Sequence, residues 1–263
     1  MKKLFLTILD FLFPRRLNDA AIFDISPEDF YEKIPKWQGE IYPSMRAIFH
    51  YKDPIAKVMI KELKSSKNEH AAEIAGFALL NHLEENNLSD AIIVPMPISK
   101  ERRRKRGYNQ CELIAEFLVR ESLDRKKAIV DKTKQDSRFM IKDSRKINDP
   151  VSNCNCNFSL DHHVLNLGSY QDDHEIKNSE MCFEIRTDIL EKPIDTAKLA
   201  FENRAERLKA NKGVFRSKCT LSHIERRIIV IDDVITTGST MSSAMETLRA
   251  AGAKKVFGIG IAH

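Results

Sequence analysis

Thirteen consecutive residues, Ile228-Ile-Val-Ile-Asp-Asp-Val-Ile-Thr-Thr-Gly-Ser-Thr240, hold the densest concentration of chemistry in this chain. Four apolar residues, Ile228 to Ile231, suit a strand covered on both faces. The carboxyl end of such a strand is where open α/β sheets bind ligands. Burying an unpaired carboxylate is costly, so Asp232 and Asp233 are expected to face the crevice and accept hydrogen bonds from a sugar diol. Thr236, Thr237, Gly238, Ser239 and Thr240 then offer successive backbone N–H groups and hydroxyls. Gly238 lets the backbone approach a ligand closely. A helix starting here turns its positive end to the same spot. Acids that bind a diol, followed by a phosphate cradle, imply a ribose 5-phosphate group. A lone Asp-Asp or Thr-Gly would be read as an ordinary strand and capped helix; the whole string carries the inference. The string is neither a Walker A loop nor a Rossmann fingerprint.

The elements that must position this string alternate. Ile41–Tyr51 reads as a strand, Asp53-Pro54 as a turn, and Ile55, Val58, Met59 and Leu63 fall at helical spacing. A second helix spans Glu69–Leu83. Ala91–Val94 is a short buried strand ending in Pro95-Met96-Pro97, a triplet expected to stop a ladder. A basic run, Lys100–Arg106, is closed by Gly107, and a helix resumes over Cys111–Val119. Ala128–Val130 reads as another short strand, and Thr196–Ala210 as a charged helix. Arg227–Asp233 is a strand, Met241–Ala251 a helix with Gly252 at its C-cap, and Val256–Ile261 the next strand. This is a βαβ unit, and the alternation upstream makes the chain α/β with a mainly parallel sheet. Residues Ile141–Asp195 break the rhythm. They are polar, lack sustained periodicity, and read as an insertion.

Composition sets bounds around this reading. The chain has 263 residues, 42% hydrophobic, and a formal net charge of +5. That balance permits phosphate, nucleic acid or acidic lipid as partners and selects none. The apolar run Leu4–Phe13 is too short to span a bilayer and contains Asp10; it reads as an amphipathic helix at the domain edge. The chain is expected to be cytoplasmic, with a peripheral place at the inner membrane face as the alternative. Five cysteines, an odd number, argue against a disulfide framework. Cys154, Cys156, His162, His163, His174 and Cys182 could supply zinc ligands, but their spacing is not that of a known finger and zinc is not expected. The basic run reads either as a solvated helix end or as a contact for phosphate or a DNA backbone.

The thirteen-residue string also resembles, at each position, the phosphoribosyl diphosphate (PRPP) signature of type I phosphoribosyltransferases. Val94-Pro-Met-Pro-Ile98 followed by Arg106-Gly-Tyr-Asn-Gln110 resembles the ComF family, competence-associated relatives of those enzymes. Ile48-Phe-His-Tyr51 with Ile60, Leu63 and Lys64, the lead-in Leu9-Asp-Phe-Leu-Phe-Pro14, and the spaced Arg207, Asn211 and Phe215 are similar to the same family. The resemblance covers most of the chain except Ile141–Asp195. It implies a lead-in over residues 1–40 and a domain over 41–263 with the type I phosphoribosyltransferase fold and a small N-terminal hood, interrupted at about 141–195.

The resemblance further implies a binding site for PRPP with magnesium bridging the diphosphate. Asp232 and Asp233 would hold the ribose hydroxyls, and Thr236–Thr240 the 5-phosphate. Met96, Pro97, Ile98, Arg102 and Arg106 would form the diphosphate loop, with Gly107, Asn109, Gln110, Arg207 and Asn211 as further family-motif residues. The implied activity is phosphoribosyl transfer with release of pyrophosphate, linked to DNA uptake and competence. The alternative is a non-enzymatic component that binds PRPP or single-stranded DNA beside competence proteins. Two departures stand out. The family's four-cysteine zinc ribbon after the lead-in is missing, since no cysteine precedes Cys111. The insertion falls, by family topology, in the loop that covers the active site.

Overall fold

The computed structural model describes residues 24–39, 41–88, 90–140, 182–193 and 214–263, and of 133–140 only the helical backbone. The lead-in Leu9–Pro14, the helix expected over Thr196–Ala210, and Arg207 and Asn211 lie outside these residues. So do Cys154, Cys156 and the three histidines between 162 and 174.

Helix α1 (Pro27–Lys33) is capped by Ser26, and strand β1 covers Met45–Phe49. Helix α2 (Pro54–Ser65) starts where Asp53 accepts from the amides of Ile55 and Ala56, so the pair read as a turn is an N-cap followed by proline in the first turn. Helix α3 spans Glu69–Glu85 and strand β2 Asp90–Pro95. The basic run forms a short helix, α4 (Lys100–Arg106), which ends at Gly107 in the left-handed conformation. Helix α5 then runs from Gln110 to Met140. Strands β3 (Cys182–Ile185), β4 (Leu190–Glu191) and β5 (Arg216–Ser217) follow. Strand β6 (Arg227–Val234), helix α6 (Ser239–Ala250) and strand β7 (Val256–Ala262) complete the order.

The central sheet has five strands in the order β1-β7-β6-β2-β3, and every pairing is parallel. The chain is therefore α/β with a parallel sheet flanked by helices. Strand β6 is central, and Ile228, Ile229, Val230 and Ile231 are all buried. That is the pattern of a strand covered on both faces. Among the described residues no helix is long and apolar enough to cross a membrane.

Three readings change. Ala128–Val130 is not a strand but part of α5, with Ile129 and Val130 about half exposed. A three-residue apolar run does not distinguish helix from strand; just before it, Arg125 pairs with Glu121 on the same helix and with Glu84 of α3. The polar segment does not extend to Asp195, because Cys182–Ile185 pairs with β2 as the sheet's outer strand. The Pro-Met-Pro triplet does not stop the ladder at once: Pro95 pairs with Ile231, and the Met96 amide donates to the Ile231 carbonyl at 2.8 Å. Phe30 of α1 is fully buried and meets the Phe49 ring edge-on at 5.2 Å.

The α3–α5 crossing holds the layer behind the site together, and Gly76 sets its closeness. A Cβ there would lie 2.7 Å from the Phe117 Cβ and 2.8 Å from the Leu118 amide nitrogen. Gly76→Ala is expected to lower stability by about 1–2 kcal/mol through overpacking, against the roughly 1 kcal/mol that alanine gains in an unhindered helix. Denaturant unfolding checks this; an unchanged or raised midpoint would contradict the close crossing.

Candidate functional site

The site is built at the carboxyl ends of β6 and β2. Asp232 and Asp233 are adjacent on β6, so the pleat sends their side chains different ways. Asp233 turns inward and is 5% exposed. Its Oδ1 accepts from the Val234 amide at 2.9 Å. Its Oδ2 lies 3.1 Å from Lys64 Nζ and accepts from Gln110 Nε2 at 3.4 Å. Asp232 is only partly covered. Its Oδ1 accepts from the Asp233 amide at 2.9 Å and from the Cys111 thiol at 3.6 Å. Among the described residues, nothing donates to its Oδ2.

The two acids are thus not equivalent, although the sequence presents them as a matched pair. Asp233 is held through both oxygens, whereas Asp232 is held through Oδ1. Loss of hydration pushes the Asp232 carboxyl well above the usual carboxylate range; the neighbouring charge of Asp233 adds to this and Lys64 opposes it. Burial pushes the Cys111 thiol up, and the charges of Asp232 and Asp233 push it further. The thiol stays protonated and serves as a donor to Asp232.

A cavity of about 270 Å³ opens over these groups. Its lining brings together Asp232, Asp233 and Thr240 from the β6–α6 segment, Met96, Pro97 and Ile98 after β2, and Arg102, Arg106 and Gln110. Lys64 of α2 and Lys192, just after β4, complete the wall. The other loop residues sit beside it. Gly238 caps α6 at φ 74°, and no side chain caps that helix end among the described residues. Thr237 Oγ1 lies 3.0 Å from Ser239 Oγ, and Thr236 and Thr237 are exposed. Behind the loop, the Tyr42 ring and Ile41 lie so near Gly238 that an added Cβ would be 3.0 Å and 3.5 Å from them. This start of α6 can receive an anion through its backbone amides.

The Arg-Gly-Tyr-Asn-Gln string works as a brace. Tyr108 Oη donates to the Leu63 carbonyl at 2.7 Å and accepts from the Lys67 amide at 2.9 Å. That fixes the end of α2, and with it Lys64. Asn109 is buried; its Nδ2 donates to the Met96 carbonyl at 3.0 Å and its Oδ1 accepts from the Cys111 amide at 3.0 Å. Gln110 bonds Arg106 on one side and Asp233 on the other. Within α4 no residue is buried; Arg103 pairs with Glu112.

Lys64 was visible only as part of a family-like string, Lys192 was hidden in the polar segment, and the donor role of Cys111 had no signal. Cys182 lies elsewhere, at the start of β3, its sulfur 3.8 Å from Arg226 Nη2. Among the described residues no group of three or more His, Cys, Asp or Glu could hold a metal ion. A larger cavity, about 690 Å³, follows the β1 edge between Trp37, Tyr42, Arg46, His82 and Phe257. It contains none of the residues the sequence singles out. No model of a known protein family matches the chain, and no curated protein matches it.

The raised Asp232 pKa has a measurable consequence. With the folded-state value above the ordinary one, this group's stabilising contribution is present below the ordinary carboxylate range and is lost as pH rises through the raised value. Asp232→Asn, which keeps an oxygen for the Asp233 amide, is expected to melt above the parent at neutral pH. The gain should disappear by about pH 4, where the parent carboxyl is protonated too. Equal melting temperatures across that range would contradict the assignment.

Proposed function

We propose that this chain binds PRPP in the cavity at the ends of β6 and β2, as a ComF-like protein with the type I phosphoribosyltransferase fold. One observation carries the reading. Two strings that sequence inspection singles out separately, Ile228–Thr240 and Arg106–Gln110, line one cavity through Asp232, Asp233, Thr240, Arg106 and Gln110. The Asp232 Oδ2 suits a ribose hydroxyl. The start of α6 suits the 5-phosphate. The arginines of α4 suit the diphosphate, since guanidinium forks match phosphate oxygens.

The reaction this arrangement favours is displacement at the ribose C1. The C1–O bond to the diphosphate breaks, a nucleophilic atom of the acceptor bonds to C1, and pyrophosphate leaves with the electron pair. The chain's part is positioning and charge stabilisation. Asp232 orients the ribose, and Arg102 and Arg106 stabilise the charge gathering on the departing pyrophosphate. The resemblance implies that magnesium accompanies the diphosphate, where it would neutralise charge. The described donor set does not fit a protein-held magnesium ion: Asp233 is engaged by Lys64 and Gln110, leaving, among the described residues that line the cavity, only Asp232 Oδ2 as an open carboxylate oxygen.

Calorimetric titration with PRPP tests the reading. The parent is expected to bind, and Asp232→Ala to weaken binding by about tenfold or more, the worth of a hydrogen bond to a charged group. No binding by the parent, or equal binding by the variant, would overturn it.

A second reading, contact with single-stranded DNA in an uptake or processing assembly, draws on α4. Its Arg104 and Lys105 are exposed, so they are placed to meet a phosphate backbone. Replacing both with glutamate should weaken binding of a fluorescent single-stranded oligonucleotide and flatten its salt dependence. Unchanged anisotropy curves would remove α4 from a DNA interface.

A further inference from the structure

The cavity wall carries four cationic side chains, Lys64, Arg102, Arg106 and Lys192, and two carboxylates, Asp232 and Asp233. The cations come from separate parts of the chain: the last turn of α2, the helix α4, and the segment after β4. Their convergence is held in place. Tyr108 ties the backbone beside Lys64, Gln110 contacts Arg106, and Lys192 lies against the Phe215 ring, its Nζ 5.5 Å from the centroid. Lys64 is about one-third exposed while paired with Asp233, so its ammonium faces both the acid and the cavity.

A diphosphate needs its charge neutralised, and a bound divalent cation is one way to do it. Here that cation would enter a cavity lined by four positive side chains, and like charges repel. It would also compete with Lys64 for Asp233. The protein's own cations already stand where the metal's charge would act. Resting on the PRPP reading above, we propose that Lys64, Arg102, Arg106 and Lys192 hold the diphosphate directly, so that its binding does not require a divalent metal. Lys64 has two partners in this arrangement: Asp233, at 3.1 Å, and a diphosphate oxygen when the ligand is seated.

The full chain is titrated with inorganic pyrophosphate and with PRPP, each in excess EDTA and in magnesium chloride. The dissociation constants for each ligand should agree within about threefold between the two buffers, a small step on the affinity scale. Lys192→Ala should weaken pyrophosphate binding in EDTA by about tenfold or more, with Lys192→Arg retaining most of it. Lys64→Ala should do the same, and magnesium should partly restore its binding, because the vacated charge is then supplied by the ion. Lys192 is the deciding position, since it can be changed without unpairing Asp233. Binding more than about tenfold weaker in EDTA than in magnesium, a full decade of affinity, would overturn the proposal and leave the PRPP reading standing. Parent-like pyrophosphate binding by Lys192→Ala would overturn the assignment of the cations. Failure of both ligands in both buffers would remove the PRPP reading and this inference with it.

Discussion

Two carboxylates on neighbouring residues, at the end of a strand buried on both faces, repel each other wherever water is excluded. The structure around Asp232 and Asp233 is an answer to that repulsion. Asp233 is turned in and satisfied by Lys64, Gln110 and the Val234 amide. Asp232 takes the Asp233 amide and the Cys111 thiol on one oxygen and lines the cavity. Loss of hydration, with the charge of Asp233 added to it, raises the affinity of Asp232 for a proton. A site that stores such a cost is typical of a place reserved for a ligand.

The supports can be traced outward from that pair. Lys64 is in reach because Tyr108 pins the end of α2 to the loop before α5. Gln110 and Cys111 are in reach because Asn109 ties the start of α5 to the end of β2. β6 itself is held by β7 and β2 along its length. Gly238 ends the loop in a left-handed conformation with an aromatic ring packed behind it. Tyr108, Asn109 and Gln110 therefore serve largely as braces, and Asp232, Asp233, Arg102, Arg106 and Thr240 line the cavity they support.

Much of this was legible in the sequence. The apolar run before Asp232, the Asp-Pro start of α2 and the periodicity of α3 depend on local pattern, and each appears where the pattern puts it. What was not legible depends on distant partners. Cys182–Ile185 has a single partner strand and only Phe183 fully buried, so its pattern is too short to stand out from the polar segment. Ile129 and Val130 mimic a strand because an exposed helix face tolerates them. The inequality of Asp232 and Asp233 cannot be read from two identical letters; it arises from Lys64, far away in the chain. Lys192 reaches the cavity wall from the end of β4, whose antiparallel partner β5 lies far along the chain.

The central claim is that one cavity receives a ribose 5-phosphate bearing a diphosphate. A crystal structure of the chain soaked with PRPP tests it most directly. The ribose hydroxyls are expected on Asp232 Oδ2, the 5-phosphate at the start of α6, and the diphosphate among Lys64, Arg102, Arg106 and Lys192. Density for the ligand along the β1 edge near Trp37, or at the β6–β2 ends with the ribose turned away from Asp232, would contradict it.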